Sequence, residues 1–426
     1  MHVSPRASRL ARLVARGALA AIVAAGALSC APLATTRRPA PIIERPPVAR
    51  APPPAPIPAP PPATLPDLIA APVAPEAITA PIAPPVSIEA APEVLPDAVR
   101  EPRPARRAVA TSDTVALILP LEVPAYARAA DAVRAGFIAA AEAAGERAKC
   151  IVIGHKEDGM LAAFEEARIR GVRVVVGPLL RDDLKTLAIA DPDLPWTIAL
   201  NQLDDRAPLP PSVFSFALTI EADARVLARR AHFDGVRALD VISGDPPIMR
   251  RLATAFTTEW IALGGAPPAD FRFDPAPEML TQMRRNLARA MPDAVLLAVD
   301  GNDAALVKSF IGAIPAYASG LVFERPEPAV VRDLNDVRIV EIPWLVTPDA
   351  PQFANYPRRD FGSASLDRLY ALGLDAFRVS QAFGVDPPER FTLDGATGTV
   401  VLNDARQFVR EGRLAVYRDG KLVPLD

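Results

Sequence analysis

Histidine and cysteine are scarce in this chain: His2, His155 and His232 are its imidazoles, and Cys30 and Cys150 its thiols. That inventory leaves little for a histidine-based triad or a tetrahedral metal centre. Cys150 and His155 stand five residues apart, but no second pair completes a site. No Gly-x4-Gly-Lys-Ser/Thr phosphate loop occurs. The doublets Asp182-Asp183 and Asp204-Asp205 read as solvated caps and turns. The expectation is therefore a protein with no catalytic residue, no metal and no cofactor. A basic surplus is missing as well. The first 29 residues hold four arginines and no acid, and residues 31–110 hold eight arginines against seven acids, so the remainder is acidic by about eight charges. Nucleic-acid binding needs clustered Lys and Arg against phosphate, and an anionic membrane surface makes the same demand. Neither partner is expected.

Long apolar runs are also few, and the one at the N-terminus has the anatomy of an export signal. Arg6, Arg9, Arg12 and Arg16 precede the apolar stretch 17–28, and small residues follow. The stretch is too short to span a bilayer permanently. It ends in Ala27-Leu28-Ser29-Cys30, which looks like a bacterial lipobox with Leu one place later than usual. Two outcomes stay open: lipid attachment at Cys30, or ordinary cleavage with Cys30 as a bystander. Ala31 stands where an Asp would point to the inner membrane, so a lipidated chain is expected at the outer membrane, facing the periplasm. With Cys30 lipidated, Cys150 has no disulfide partner and reads as a buried structural thiol before the apolar Ile151-Val152-Ile153.

What the sequence has in abundance is proline. Of its 49 prolines, 23 fall within residues 31–110, interleaved with Ala, as in 51–60. Proline removes a backbone donor and pins φ, so neither helix nor central strand runs through such a stretch. Residues 30–110 are expected to be a disordered, semi-extended tether.

From Thr114 onward short β-branched runs alternate with helical patterns, as in a doubly wound parallel sheet. The first lobe, about 111–218, reads as strand 115–120, helix 126–144, strand 150–153, helix 160–170, strand 172–176, helix 181–190 and strands 196–200 and 213–216. The second, about 221–340, reads as helix 222–233, strand 238–243, helix 248–263, strand 270–273, helix 278–290, strand 294–299, helix 304–314 and strands near Leu321 and Arg338. A long helix 365–383 and a β-rich tail follow, expected to return to the first lobe. In that tail Tyr417-Arg418-Asp419-Gly420-Lys421 is a strong hairpin signal. Two βα sets joined by several crossings imply a type I periplasmic-binding-protein-like fold over 111–426.

Ligands of open α/β sheets collect beyond the carboxyl ends of the strands. Those ends place Pro120, Leu121, Gly177, Pro178, Asn201 and Ser243 near a candidate inter-lobe cleft. Gly177-Pro178 also reads as a turn device, and Asn201 and Ser243 can equally satisfy loop backbone. Glu122-Val123-Pro124 stands where amino-acid-binding relatives carry hydroxyl donors after the first strand, which favours a partner-binding domain over a solute receptor. Trp344 has two readings, packing near a lobe crossing or anchoring a partner.

Several segments carry a family resemblance: 115–121, Ala132-Val133-Arg134-Ala135-Gly136-Phe137, Val176-Gly177-Pro178-Leu179-Leu180, Ala199-Leu200-Asn201, Ile342-Pro343-Trp344-Leu345, 369–376 and Leu393-Asp394-Gly395-Ala396-Thr397-Gly398. Their order over 111–426, behind a lipobox, resembles the LppC-type lipoproteins, the penicillin-binding protein activator family. The resemblance implies an outer-membrane lipoprotein that regulates peptidoglycan synthesis by contacting a class A penicillin-binding protein. It also implies a tetratricopeptide-like domain before the binding-protein-like one, and here the Pro-rich tether stands in that place. The alternative is a lipid-anchored receptor delivering amino-acid-type solutes to a transporter.

Overall fold

The computed structural model describes Ala110 and residues 112–425, apart from 191–192, 204–207, 324–331 and 419–420. The signal, Cys30, the tether up to residue 109 and Asp204-Asp205 lie outside the described residues.

The first sheet grows from β1 (Val115–Leu119), whose five residues are all buried. Such a strand is apolar at every position because both of its faces are covered. Val115, Leu117 and Leu119 enter one core cluster, and Ala116 and Ile118 enter the cluster on the opposite face. β1 pairs in parallel with β2 (Cys150–Gly154) and β3 (Val174–Val176), so that Leu117 faces both Val152 and Val176. β4 (Trp196–Ala199) and β5 (Val213–Phe216) extend the sheet in parallel. β6 (Leu239–Ser243), β7 (Asp270–Arg272), β8 (Ala294–Ala298), β9 (Ala316–Ser319) and β10 (Arg338–Glu341) build a second parallel sheet. It too is covered on both faces: Val295 and Leu297 of β8 join one core cluster, and Leu296 and Ala298 the other.

The tail divides between the sheets. β11 (Thr392–Asp394), β12 (Thr399–Leu402) and β13 (Gln407–Glu411) complete the first sheet, whose order is β11-β12-β13-β5-β4-β3-β1-β2. β14 (Arg413–Arg418) and β15 (Lys421–Pro424) instead join the second, in the order β15-β14-β10-β9-β8-β6-β7. A wholesale return to the first lobe is therefore corrected at Gly412. A side chain there would meet Val340 Cγ1 at 2.7 Å, so the crossing strand passes tightly against the second sheet. The expected hairpin is present as β14–β15, with Arg418 opposite Lys421. The strand placed near Leu321 ends earlier, at Ser319, because Ser319 Oγ accepts the Leu321 N–H and a 3₁₀ turn begins at Gly320.

Around the first sheet lie α1 (Ala127–Ala143), α2 (Met160–Ile169) and α3 (Arg181–Ala190); around the second lie α4 (Ile220–Phe233), α5 (Pro247–Ala262), α6 (Pro277–Ala290) and α7 (Gly301–Ile311). A single turn, α8 (Pro343–Val346), leads back to α9 (Ala364–Ser380), which packs on α1. Two glycines let those helices touch backbone to backbone. A Cβ on Gly136 would lie 1.9 Å from the Tyr370 carbonyl oxygen, and one on Gly373 would lie 2.1 Å from that of Val133. Among the described residues the chain passes between the sheets at 217–219, 342–343 and 412, the wiring of a two-lobed binding-protein fold.

Candidate functional site

The three crossings bring the carboxyl ends of β5, β9 and β10 to one place, and the side chains there are charged. Arg368, in the first turns of α9, donates from Nη2 and Nε to the two carboxylate oxygens of Glu341 at 2.6 and 3.0 Å. Its Nη2 also donates to Gly320 O at 2.9 Å, while Glu341 accepts the Ile342 N–H at 2.8 Å. Glu341 ends a strand of the second sheet and Arg368 belongs to a helix of the first lobe, so this pair ties one to the other. A second tie runs from Arg410 of β13 to Asp223 of α4 at 2.8 Å. All four residues are at least nine-tenths buried.

Beneath these bridges Asp375 of α9 accepts the N–H groups of Ala396 and Thr397 at 2.9 and 2.7 Å, and the Thr397 hydroxyl at 2.7 Å. A Cβ on Gly395 would fall 2.4 Å from the same carboxylate. Burial pushes the Asp375 carboxyl above the usual range, against the pull of those donors. Burial likewise raises Asp223, with the Arg410 guanidinium opposing it. The two segments 369–376 and 393–398 are thus halves of one clamp, in which a helix carboxylate holds the turn that leads into β12.

Leu218, Thr219, Ile248 and Ser319 join the two ion pairs around a crevice of only about 70 Å³. The residues that strand ends nominated lie elsewhere. Pro120 is buried beyond β1. Leu121 is half-buried on a separate cavity of about 560 Å³ beside Arg128 and Phe361. Gly177 has φ +122° and a cis bond to Pro178, and a Cβ there would meet Ile118 O at 2.3 Å, so it serves strand packing. Asn201 uses both ends of its amide locally, donating to Leu179 O at 2.9 Å and accepting the Gln202 N–H at 2.9 Å. Ser243 donates to the Asp270 carboxylate at 2.6 Å. Pro120, Gly177, Pro178 and Asn201 thus sit at the neighbouring carboxyl ends of β1, β3 and β4, where the Leu200 N–H donates to Pro178 O at 2.9 Å, while Ser243 lies on the second sheet.

Trp344, the nominated partner anchor, is only 2% exposed. It packs between Phe353 and Tyr370, each with ring centroids 5.4 Å away, and Arg358 lies 3.4 Å over its ring. Burial leaves it no face for a partner, and the packing reading replaces the anchor. Cys150 is buried, with Sγ 3.6 Å from Glu146 O, and its thiol is pushed up by burial. His155 donates from Nδ1 to Lys156 O, and its Nε2 sits 3.6 Å from Asp183. Among the described residues no cluster of three or more potential metal ligands occurs, and no helix is long and apolar enough to cross a membrane.

Comparison with known proteins places this architecture. The family described as "LppC putative lipoprotein" matches residues 90–288 and 278–420. A penicillin-binding protein activator LpoA from Edwardsiella piscicida is 27% identical over 308 residues, covering 62% of this chain and 44% of its own. The LpoA of Haemophilus influenzae is 24% identical over 271 residues, covering 61% and 46%. The chain thus spans less than half the length of these curated relatives. A solved structure from Chromobacterium violaceum, named for a branched-chain amino acid ABC transporter, superposes with a TM-score of 0.64 at 31% identity, over 72% of this chain and 100% of that one. The C-domain of Haemophilus influenzae LpoA, named as a regulator of PBP1A, gives 0.62 at 22% identity over 74% and 100%, a likeness of fold.

Proposed function

The chain belongs to the LppC family, and on that premise we propose that it is an outer-membrane lipoprotein that binds and activates a class A penicillin-binding protein, with no catalysis of its own. The curated relatives it matches are named penicillin-binding protein activators. The observation that carries the reading is the pair of buried bridges, Arg368–Glu341 and Arg410–Asp223, which fill the floor of the cleft and leave about 70 Å³. Small-molecule sites ordinarily offer roughly 300–1,000 Å³. A cleft floor closed in this way supports action by surface contact over a solute held between the bridges.

Export and lipid attachment at Cys30 put the body in the periplasm on a tether of about 80 residues. Such a tether reaches roughly 250 Å if wholly polyproline II at ~3.1 Å per residue, and roughly 50 Å as a coil. That reach suits an anchor in the outer membrane and a synthase at the inner one. The test is a glycan polymerisation and cross-linking assay on a class A synthase with the mature protein titrated in. Because an activator works by binding the active conformation more tightly, stimulation should saturate at the affinity of the complex. No stimulation at saturating protein would refute it.

A second reading, an amino-acid receptor, draws on the likeness to the Chromobacterium violaceum protein named for a transporter. Calorimetry against branched-chain amino acids separates the two: tight binding with no effect on the synthase would select the receptor.

A further inference from the structure

In hinged binding proteins the two lobes swing about their crossings and close on a ligand. Here each of the three crossings carries a charge that the opposite lobe holds. Glu341 stands directly before the crossing at 342–343 and takes the Arg368 fork through both carboxylate oxygens. Asp223 lies on the first turns of α4, just after the crossing at 217–219, and takes Arg410 of β13 at 2.8 Å. Glu411 stands directly before Gly412 and takes Arg229 of α4 at 2.6 Å.

The two buried pairs fit one lobe angle. Arg368 Nη2 donates to Gly320 O as well as to Glu341, so the guanidinium is fixed by two segments of the second lobe, the turn after β9 and the end of β10. A planar fork loses its bonds when its partner turns out of plane. Gly320 belongs to this fit, because a Cβ there would lie 2.3 Å from Glu341 Oε2. Arg410 is held in its own lobe by Thr397 O at 3.4 Å while it reaches across to Asp223. Both pairs line the same crevice of about 70 Å³, so a swing that parts one disturbs the other. It would also strand buried charges away from water, which leaves a second lobe angle scarcely populated. The Arg229–Glu411 pair is partly exposed and adds little.

We propose that the two buried pairs form a clasp that holds the lobes at one angle, doing permanently with the chain's own charges what a bound solute does transiently in a hinged receptor. A partner therefore meets a surface spanning both lobes whose shape exists before contact, which spares the cost of ordering it. The inference stands whether or not the protein activates a synthase, and its test contains no synthase.

The test is a pulsed electron-spin distance measurement on the mature full chain in detergent, labelled at Ile169→Cys and Met291→Cys. These positions are 73% and 77% exposed, whereas Cys150 is buried and takes no label. They lie where α2 and α6 lead into the amino ends of β3 and β8, at the opposite end of each sheet from the crossings, so a change of lobe angle moves them far. One narrow distance peak is expected, the same with and without leucine. Arg368→Met/Glu341→Leu and Arg410→Met/Asp223→Leu each remove one pair without stranding a charge, and each should gain a second peak. Arg229→Gln, at the exposed pair, should keep the parent's single peak. Two peaks in the parent, a shift caused by leucine, or a second peak from Arg229→Gln would overturn the proposal. So would a clasp variant with native circular dichroism and the parent's single peak. If neither clasp variant folds, the parent's own distribution with and without leucine decides.

Discussion

The guanidinium of Arg368 and the carboxylate of Glu341 meet through two hydrogen bonds, 2.6 and 3.0 Å, across the boundary between the lobes. Removing one partner of a buried pair strands the other charge away from water, which costs about 3–5 kcal/mol. Arg368→Met should therefore lower the denaturation midpoint sharply. Arg368→Met/Glu341→Leu should recover most of that loss, because no uncompensated charge remains. Urea titrations of both variants and of Glu341→Leu close the cycle. Equal damage in the single and double variants would mean that the pair does not act as a unit.

Helix contact makes a second prediction. Gly373→Ala would drive a Cβ to 2.1 Å from the Val133 carbonyl, so α1 and α9 must separate. Overpacking of this kind costs roughly 1–3 kcal/mol or more. Gly384→Ala, whose Cβ would meet nothing closer than 3.9 Å, is the control and should leave the melting temperature nearly unchanged.

Asp240 is buried on β6, and its Oδ2 has no hydrogen-bond partner among the described residues. Burial pushes its carboxyl above the ordinary value, against a hydrogen bond from the Ala269 N–H. The native state therefore holds that proton more tightly than the unfolded chain. The resulting stability is present below the ordinary value of about 4 and is lost as pH rises through the native value. Asp240→Asn should accordingly match the parent near pH 4 and become the more stable of the two toward pH 7. Melting curves at the two pH values measure the difference, and a gap that shrinks with rising pH would reverse the assignment.

The anchor and tether are tested in cells. Cys30→Ala should yield an uncleaved or soluble form, read by fractionation and by labelling with a fatty-acid analogue. Deletion of most of residues 35–105 should leave the melting temperature of the purified protein within a few degrees, since a segment without apolar periodicity buries little. The same deletion should impair function in the envelope through lost reach. A large fall in melting temperature would mean that the segment is part of the folded body.

Element order was legible because periodicity is a property of neighbouring residues. The run Val115–Leu119, apolar at every position, announces a strand covered on both faces, and both faces of β1 are covered. The hairpin at 417–421 was legible for the same local reason. The four charged residues of the cleft floor were not. Their one signal was a charge set in apolar company, as Arg368 is within the helix around Leu366, Leu369 and Tyr370, or Glu341 after Ile339-Val340. On a helix such a residue reads as solvent-facing unless a partner is known, and the partners stand far off along the chain.

By itself the sequence determined that this is an α/β chain of two successive βα sets behind a proline-rich stretch, because backbone preference and hydrophobic pattern act over a few residues. Only the tertiary structure decided which charges would be buried, since Arg410 finds Asp223 across 187 positions and no local rule links them. It decided that Trp344 is core, through Phe353, Tyr370 and Arg358 closing over the ring. It also decided that the tail splits at Gly412, where only a residue without a side chain can pass so close to Val340. Burial and pairing depend on what the folded chain brings from elsewhere, which no stretch of neighbouring residues specifies.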